Sequence, residues 1–247
     1  MSHNSCSIRA VVVGVPARNE ERHLAWAVRS VLLAADRADD VQTTLVLALD
    51  SCDDSSAAIA VAIGDEDPRV IVLEGTWGNA GAARRAAIDA GITAAMADGN
   101  AELGEIWIAT TDADTVVPPD WVGTHRDHGR AGVAAVAGIV DILLDDDATP
   151  AVVDIFARTY VVESDTHHHV HGANMGVRAD VYLGVGGFAS IDVAEDHALW
   201  NVIRNAGHRC VATTALRVST SGRRVGRAVG GFADRLDSLV GVVEVAG

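Results

Sequence analysis

Residues Glu105 to Trp121 read EIWIATTDADTVVPPDW. The apolar run Ile106-Trp107-Ile108-Ala109 is continuous rather than alternating, the pattern of a strand covered on both faces. Straight after it come Asp112 and Asp114, one residue apart. In an extended segment residues i and i+2 point the same way, so the two carboxylates can share a target while Ala113 faces elsewhere. Crowded carboxylates repel unless a cation or a hydrogen-bonded ligand offsets the cost, and oxygen ligands with open positions suit Mg2+ or Mn2+.

Upstream the same strand, loop and helix unit recurs. Ala10 to Val15 is a β-branched run ended by Pro16, and a helix follows in which Leu24, Val28, Val31 and Leu32 return at helical spacing. Asn19 is placed to cap that helix, with Glu20 and Glu21 at its positive end. TTLVLAL (43–49) predicts a second strand, Asp50 to Ser55 a polar loop, and Ser56 to Ile63 a short helix. RVIVLEG (69–75) predicts a third strand and Gly81 to Ala97 an alanine-rich helix. Strands alternating with helices imply an α/β fold, a mostly parallel sheet flanked by helices on both faces.

Beyond Asp120 the regularity weakens. The pattern predicts a strand at Val133 to Ile142, an acidic turn at Asp145 to Asp147, and a helix over Pro150 to Val161. A histidine-rich loop, a helix over His197 to Asn205 and an extended run from Arg209 to Val218 follow. A glycine-arginine loop then leads into Phe232 to Leu239. No linker is rich enough in Pro, Gly or Ser to divide the chain, so residues 1–247 read as one domain.

Composition narrows the function classes. The chain has 247 residues and a net charge of −15, with a pI near 4.9, which argues against nucleic acid and other polyanions as partners. Three widely spaced cysteines with no CxxC fit a reducing cytoplasm. No stretch approaches the roughly 18 to 20 apolar residues of a membrane span, and Ala131 to Val140 stops at Asp141. The amino-terminal MSHNSCSIRA lacks a signal-type apolar segment. These features predict a soluble, cytoplasmic chain, with peripheral membrane contact left open.

In open α/β sheets ligands gather outside the carboxyl ends of the strands. PARNE (16–20) follows the first strand, DSCDD (50–54) the second and DAD (112–114) the fourth, so one edge is expected to present Asp50, Asp53, Asp112 and Asp114 together.

In order along the chain, VVVGVPARNEE, LALDSCDDSS, GNAGAARRAAIDAG, TTDADTVVPPDW, HGANMGVRADVYLGVGGF and AEDHALWNVIRNAG resemble the family 2 glycosyltransferases of the GT-A fold over nearly the whole length. The resemblance implies a nucleotide-binding half (1–120) and an acceptor-side half (121–247). It also implies transfer of a sugar from a nucleotide-diphosphate sugar to a hydroxyl acceptor, with Mn2+ or Mg2+ as cofactor. By the same resemblance Pro16, Ala17, Arg18, Glu20 and Asp50 line the pocket for base and ribose, with Gly81, Arg84, Asp112 and Ala113 also at the nucleotide. Asp112 and Asp114 hold the metal and diphosphate. Gly172, Ala173 and Asn174 form the loop facing donor sugar and acceptor, beside His171 and Glu195. Asp196, at a helix start whose dipole favours its ionised form, is the base, and its neighbour Glu195 points elsewhere because adjacent helical residues diverge by about 100°.

Three positions depart from the family pattern. Arg18 stands where many relatives have an aromatic. The histidine often found downstream of the E-D pair is absent from LRVSTSGRR, where Ser219 or Thr220 takes its place. The arginine after Gly81 is either Arg84 or Arg85. THHHVHGAN would put His167, His169 and His171 on one face, as a zinc site, an acceptor-side wall or a surface loop. Arg223, Arg224 and Arg227 sit among glycines in an otherwise acidic chain, suited to a lid over a diphosphate or to a solvated basic turn. A sugar-nucleotide nucleotidyltransferase is disfavoured for want of G-x-G-T-R after the first strand, and a nicotinamide dehydrogenase for want of G-x-G-x-x-G. A catalytically silent protein that binds a sugar nucleotide is the remaining alternative.

Overall fold

The computed structural model describes residues 7–97, 99, 101–143, 148–160, 162 and 164–223, so Asp145–Asp147, Arg224, Arg227 and Phe232–Leu239 fall outside it. Four parallel strands, β1 (Ala10–Ala17), β2 (Gln42–Asp50), β3 (Val70–Gly75) and β4 (Ile106–Thr110), alternate with α1 (Leu24–Asp36), α2 (Ser56–Glu66) and α3 (Ala80–Ala97). The rest adds β5 (Thr115–Val116), α4 (Trp121–Arg130), β6 (Ala135–Leu143), α5 (Pro150–Thr159), β7 (Met175–Arg178), α6 (Ala179–Gly184), α7 (Glu195–Asn205) and β8 (Cys210–Ser221). All eight strands form one sheet in the order β3-β2-β1-β4-β7-β6-β8-β5.

Strand β7 runs antiparallel to both β4 and β6, with Thr110 opposite Met175. Strand β8 lies parallel to β6, and β5 lies antiparallel to β8. The reversal places the start of β7 at the same sheet edge as the ends of β1, β2, β4 and β8. Segments far apart in sequence therefore meet along one rim.

Both faces of the sheet are covered, as the continuous apolar strands predict. Strand β4 sends Trp107 and Ala109 into a core shared with α1 and α4, and Ile106 and Ile108 into a second core with α3, α6 and α7. Two elements differ from the sequence reading. Asn19 does not cap α1; it adopts a left-handed φ of 55° and the helix begins only after a turn in which Glu20 C=O accepts from the amides of His23 and Leu24. Helix α4 was hidden by its polar composition, only Trp121, Val122, His125 and Gly129 of it being buried.

His125 is the hinge of the first core. Trp107 Nε1–H donates to His125 Nδ1 at 3.1 Å, while the Trp121 ring meets the imidazole edge-on with centroids 4.5 Å apart. That donation puts the imidazole proton on Nε2, which finds no partner among the described residues. Burial pushes the His125 pKa down to about 3, so the folded chain holds the ring neutral. The unfolded chain binds a proton below about pH 6.5, hence stability from this residue is complete above that value and is lost as pH falls toward 3, by about 1.4 kcal/mol per pH unit. Urea unfolding of the wild type and His125→Gln between pH 7 and pH 4 should show the variant's stability falling less steeply by about 1 kcal/mol per unit; parallel slopes would refute a neutral core histidine.

Candidate active site

Arg84 occupies the middle of the rim. It projects from the second turn of α3, only 2% exposed, and donates from Nη2 to Asp112 Oδ1 at 2.8 Å and from Nη1 to Glu195 Oε1. Its guanidinium also lies 5.3 Å from the centre of the Phe188 ring. Two glycines make room for this arrangement. A Cβ on Gly172 would stand 2.7 Å from Arg84 Nη2, and one on Gly81 would stand 2.6 Å from the Ala189 carbonyl. Of the two arginines after Gly81, Arg84 turns inward to the two carboxylates and Arg85 turns outward to the carbonyls of Gly186 and Phe188.

Asp114 has a different arginine. Arg223 bridges Glu20 Oε2, 2.6 Å away, and Asp114 Oδ2, 3.0 Å away. The other oxygen of Asp114 accepts from Thr220, whose hydroxyl also meets Thr115 across the β5–β8 pairing. Thr220, one of the two residues expected in place of the family's histidine, thus stands against Asp114. Burial raises the pKa of both aspartates, Arg84 opposing the rise at Asp112 and Arg223 at Asp114. Asp112 keeps 38% of its side chain exposed, while Ala113 between them is buried in the core.

Beside Arg84, the amide of Gly172 donates to Asp196 Oδ2 at 2.8 Å, and Asp196 Oδ1 accepts from the amide of His197 at 2.7 Å. Burial, then the nearby Glu195 carboxylate, raises the Asp196 pKa; the His197 amide works against them. The two neighbours diverge as helical geometry requires, Glu195 inward to Arg84 and Asp196 toward Gly172. Ala173 and Asn174 are buried. The Asn174 side chain points into the protein, accepting from Trp121 Nε1 at 2.9 Å and donating to the carbonyls of Ile139 and Leu216, so its amide is spent on holding β6, β8 and α4 together.

Asp50 accepts from the amides of Trp77 (2.7 Å) and Gly78 (3.0 Å) in the loop after β3. Asp53 and Asp54 stitch neighbouring loops: Asn19 donates to Asp53, and Asp54 accepts from the amides of Ser56 and Glu21. The four acidic residues expected together are thus divided: Asp112 and Asp114 pair with arginines, while Asp50 and Asp53 hold loops. Pro16 is half-buried, Ala17 buried and Arg18 exposed at the end of β1.

His167 is buried, with Nε2 toward the Ala137 and Thr213 carbonyls at 3.2 Å and Nδ1 accepting from the His169 amide, which leaves neither nitrogen to bind zinc. His169 stacks on Tyr160 at 3.8 Å, and the Tyr160 hydroxyl lies 3.0 Å from His171 Nε2. Among the described residues no three His, Cys, Asp or Glu side chains converge as a closed ligand set. A divalent ion here would take carboxylate oxygens from Asp112 and Asp114, and the rest of its shell from water and a bound diphosphate, as Mg2+ commonly does.

A profile of the family described as Glycosyl transferase family 2 matches residues 12–184. The chain belongs to that family. The match runs from β1 to α6 and takes in Asp50, Arg84, Asp112, Asp114 and Gly172. A comparison with the sequences of curated proteins found no significant match.

Among solved structures, residues 1–349 of S. aureus TarS in complex with UDP-GlcNAc superpose with a TM-score of 0.65 at 12% identity, covering 96% of this chain and 66% of that one. The mannosyltransferase PcManGT from Pyrobaculum calidifontis, in complex with GDP-Man and Mn2+, gives a TM-score of 0.59 at 15% identity over 97% of this chain and 76% of that one. GalNAc-T7 with UDP, GalNAc and Mn2+ gives 0.63 at 14% identity, over 96% of this chain and 48% of that one. The family 2 chain thus spans about half to three quarters of these neighbours and shares their fold. Among the described residues no helix is long and apolar enough to cross a membrane.

Two contacts of this family 2 site lay beyond motif reading. The Arg223–Glu20 pair joins residues 203 apart in sequence, and Trp77 lies between two recognisable motifs with no periodic signal of its own. Removing the guanidinium of Arg84 strands two recessed carboxylates. Arg84→Met should cost about 3 kcal/mol in urea unfolding, and Arg84→Lys, which cannot fork to both partners, should recover only part of it; a change below about 0.5 kcal/mol in Arg84→Met would refute the bridging role.

Proposed function

We propose that this chain is a metal-dependent, inverting glycosyltransferase that moves a sugar from a nucleotide-diphosphate sugar to an acceptor hydroxyl. One observation carries the reading: the Asp196 carboxylate is held by the Gly172 amide in the same wall that Arg84 ties to Asp112. Those contacts support Asp196 as the proton acceptor and Asp112 as the diphosphate-side carboxylate of one site. The neighbours crystallised with UDP-GlcNAc, or with GDP-Man and Mn2+, support the donor class and the ion.

The nucleotide would lie along Pro16, Ala17, Arg18, Glu20 and the Asp50–Trp77 corner, with Gly81 and Arg84 beneath it. Asp112 and Asp114 would hold Mn2+ or Mg2+, which when bound offsets the charge of the departing diphosphate. Arg223, now shared by Glu20 and Asp114, would exchange a carboxylate for phosphate oxygen as the donor enters, with Arg224 beside it in sequence. Gly172, Ala173 and Glu195 would shape the sugar subsite, and His171 with Tyr160 the acceptor side. Asp196 would take the proton of the acceptor hydroxyl as that oxygen bonds to the anomeric carbon from the face opposite the leaving diphosphate. A single displacement of this kind inverts the anomer.

Asp196→Asn should leave donor affinity by calorimetry unchanged and lower transfer by about 100-fold or more; full transfer by the variant would remove Asp196 from the reaction. Because burial raises its pKa, Asp196 is protonated, and idle as a base, at pH values where an ordinary aspartate is ionised. The acid limb of kcat/KM should therefore lie above the usual carboxylate range and vanish from the residual activity of Asp196→Asn. Asp112→Asn should instead weaken the binding of both Mn2+ and the nucleotide sugar. A thermal-shift screen of UDP, GDP and dTDP sugars with and without divalent metal identifies the base by mass action.

A further inference from the structure

Helix α1 turns one face into the core, through Leu24, Val28 and Val31, and presents a quite different face to solvent. Along that outer face run Trp26, Arg29 and Leu33, with Arg22 in the turn before the helix and Arg37 at its C-cap, all five exposed. Helical spacing keeps Trp26, Arg29 and Leu33 on one stripe roughly 10 Å long, with Arg22 and Arg37 beyond its two ends. Trp26 is 75% exposed, more than any other large apolar side chain among the described residues, and Leu33 is 47% exposed.

The charges along this stripe are uneven. Of the acids near it, Asp36 pairs with Arg69 and Asp40 pairs with Arg126 and Arg130, while Glu21 accepts from the Ser55 amide and keeps its charge. Asp39 lies three residues past the helix end, and Asp120 and Asp127 line a pocket together with Arg37, Asp127 also pairing with Arg126. Arg29 and Arg37 make no ion pair among the described residues. In a chain of net charge −15, this stripe and its two ends carry three arginines and an exposed tryptophan, with acids confined to the ends.

We propose that the outer face of α1 is a docking surface for anionic phospholipid membranes. The arginines would meet headgroup phosphates while Trp26 and Leu33 enter the interfacial layer, the arrangement of amphipathic helices that lie in the plane of a bilayer. The negative remainder of the chain would be repelled, so docking has one orientation. A second copy of this chain is a poor occupant, because a two-fold contact through the stripe sets arginines against arginines. Arg22 lies two residues after Glu20, which meets Arg223 and Asp114, so the bilayer would lie alongside the cleft. The proposal does not depend on the reaction assigned above.

Sedimentation of the full chain with vesicles of three parts phosphatidylcholine to one part phosphatidylglycerol tests it, against pure phosphatidylcholine vesicles. Binding is expected to the anionic vesicles only and to be lost in half-molar sodium chloride. Arg29→Ala and Arg37→Ala should each weaken it about fivefold, and Trp26→Ala at least as much, with thermal melts unchanged. Absence of wild-type binding to the anionic vesicles, or equal binding by Trp26→Ala and the double variant R29E/R37E, would overturn the proposal. So would a Trp26-dependent dimer in sedimentation equilibrium without lipid.

Discussion

A guanidinium buried beneath a cleft is the constraint around which this molecule is arranged. Removing an arginine from water costs several kcal/mol, and Arg84 recovers that only by meeting two carboxylates at once, Asp112 from the end of β4 and Glu195 from the start of α7. The fork geometry of arginine makes the double contact feasible where an ammonium could not reach both. Gly172 and Gly81 must lack side chains because the guanidinium and the loop at Ala189 occupy that space. Three segments separated by up to 111 residues are thus fixed relative to one another by a single side chain.

The sheet supplies the rest of the convergence. Parallel strands alone would bring the ends of β1 to β4 to one rim; the reversed β7 adds the Gly172–Asn174 turn, and β8 adds Thr220 and Arg223. Asn174 shows how little of that turn is left to chance, its buried amide bonding three separate elements. The cleft is therefore a product of topology first and of side-chain chemistry second.

Much of the architecture is legible in the linear chain, for physical reasons. Strands buried on both faces read as unbroken apolar runs, so β1, β2 and β4 stand out, and the alanine-rich α3 declares itself by propensity. Helix α4, mostly polar, and β7, four residues ending a glycine-rich segment, carry no periodic signal and emerge only through tertiary contacts. At the rim the local motifs were readable: D-x-D, the E-D pair and the residues after Gly81. What could not be read was the division of labour among acids. Asp50 faces backbone amides and Asp53 faces Asn19, because hydrogen-bond partners are set by loops that sequence spacing does not place. The histidine run shows the same limit, since alternation aligns His167, His169 and His171 but does not reveal that both ring nitrogens of His167 are already engaged.

Strand β5 is two residues long, and within the sheet it is paired only with β8, the last strand of the described chain. The position of Asp114 just before it, and the Arg223 bridge to Glu20, both wait on that final strand. During synthesis the first four strands can collapse together from local crossovers as they emerge, whereas the cleft closes by contacts spanning about two hundred residues. In a nascent chain the contacts of Asp114 and Arg223 therefore form only after β8 has left the ribosome.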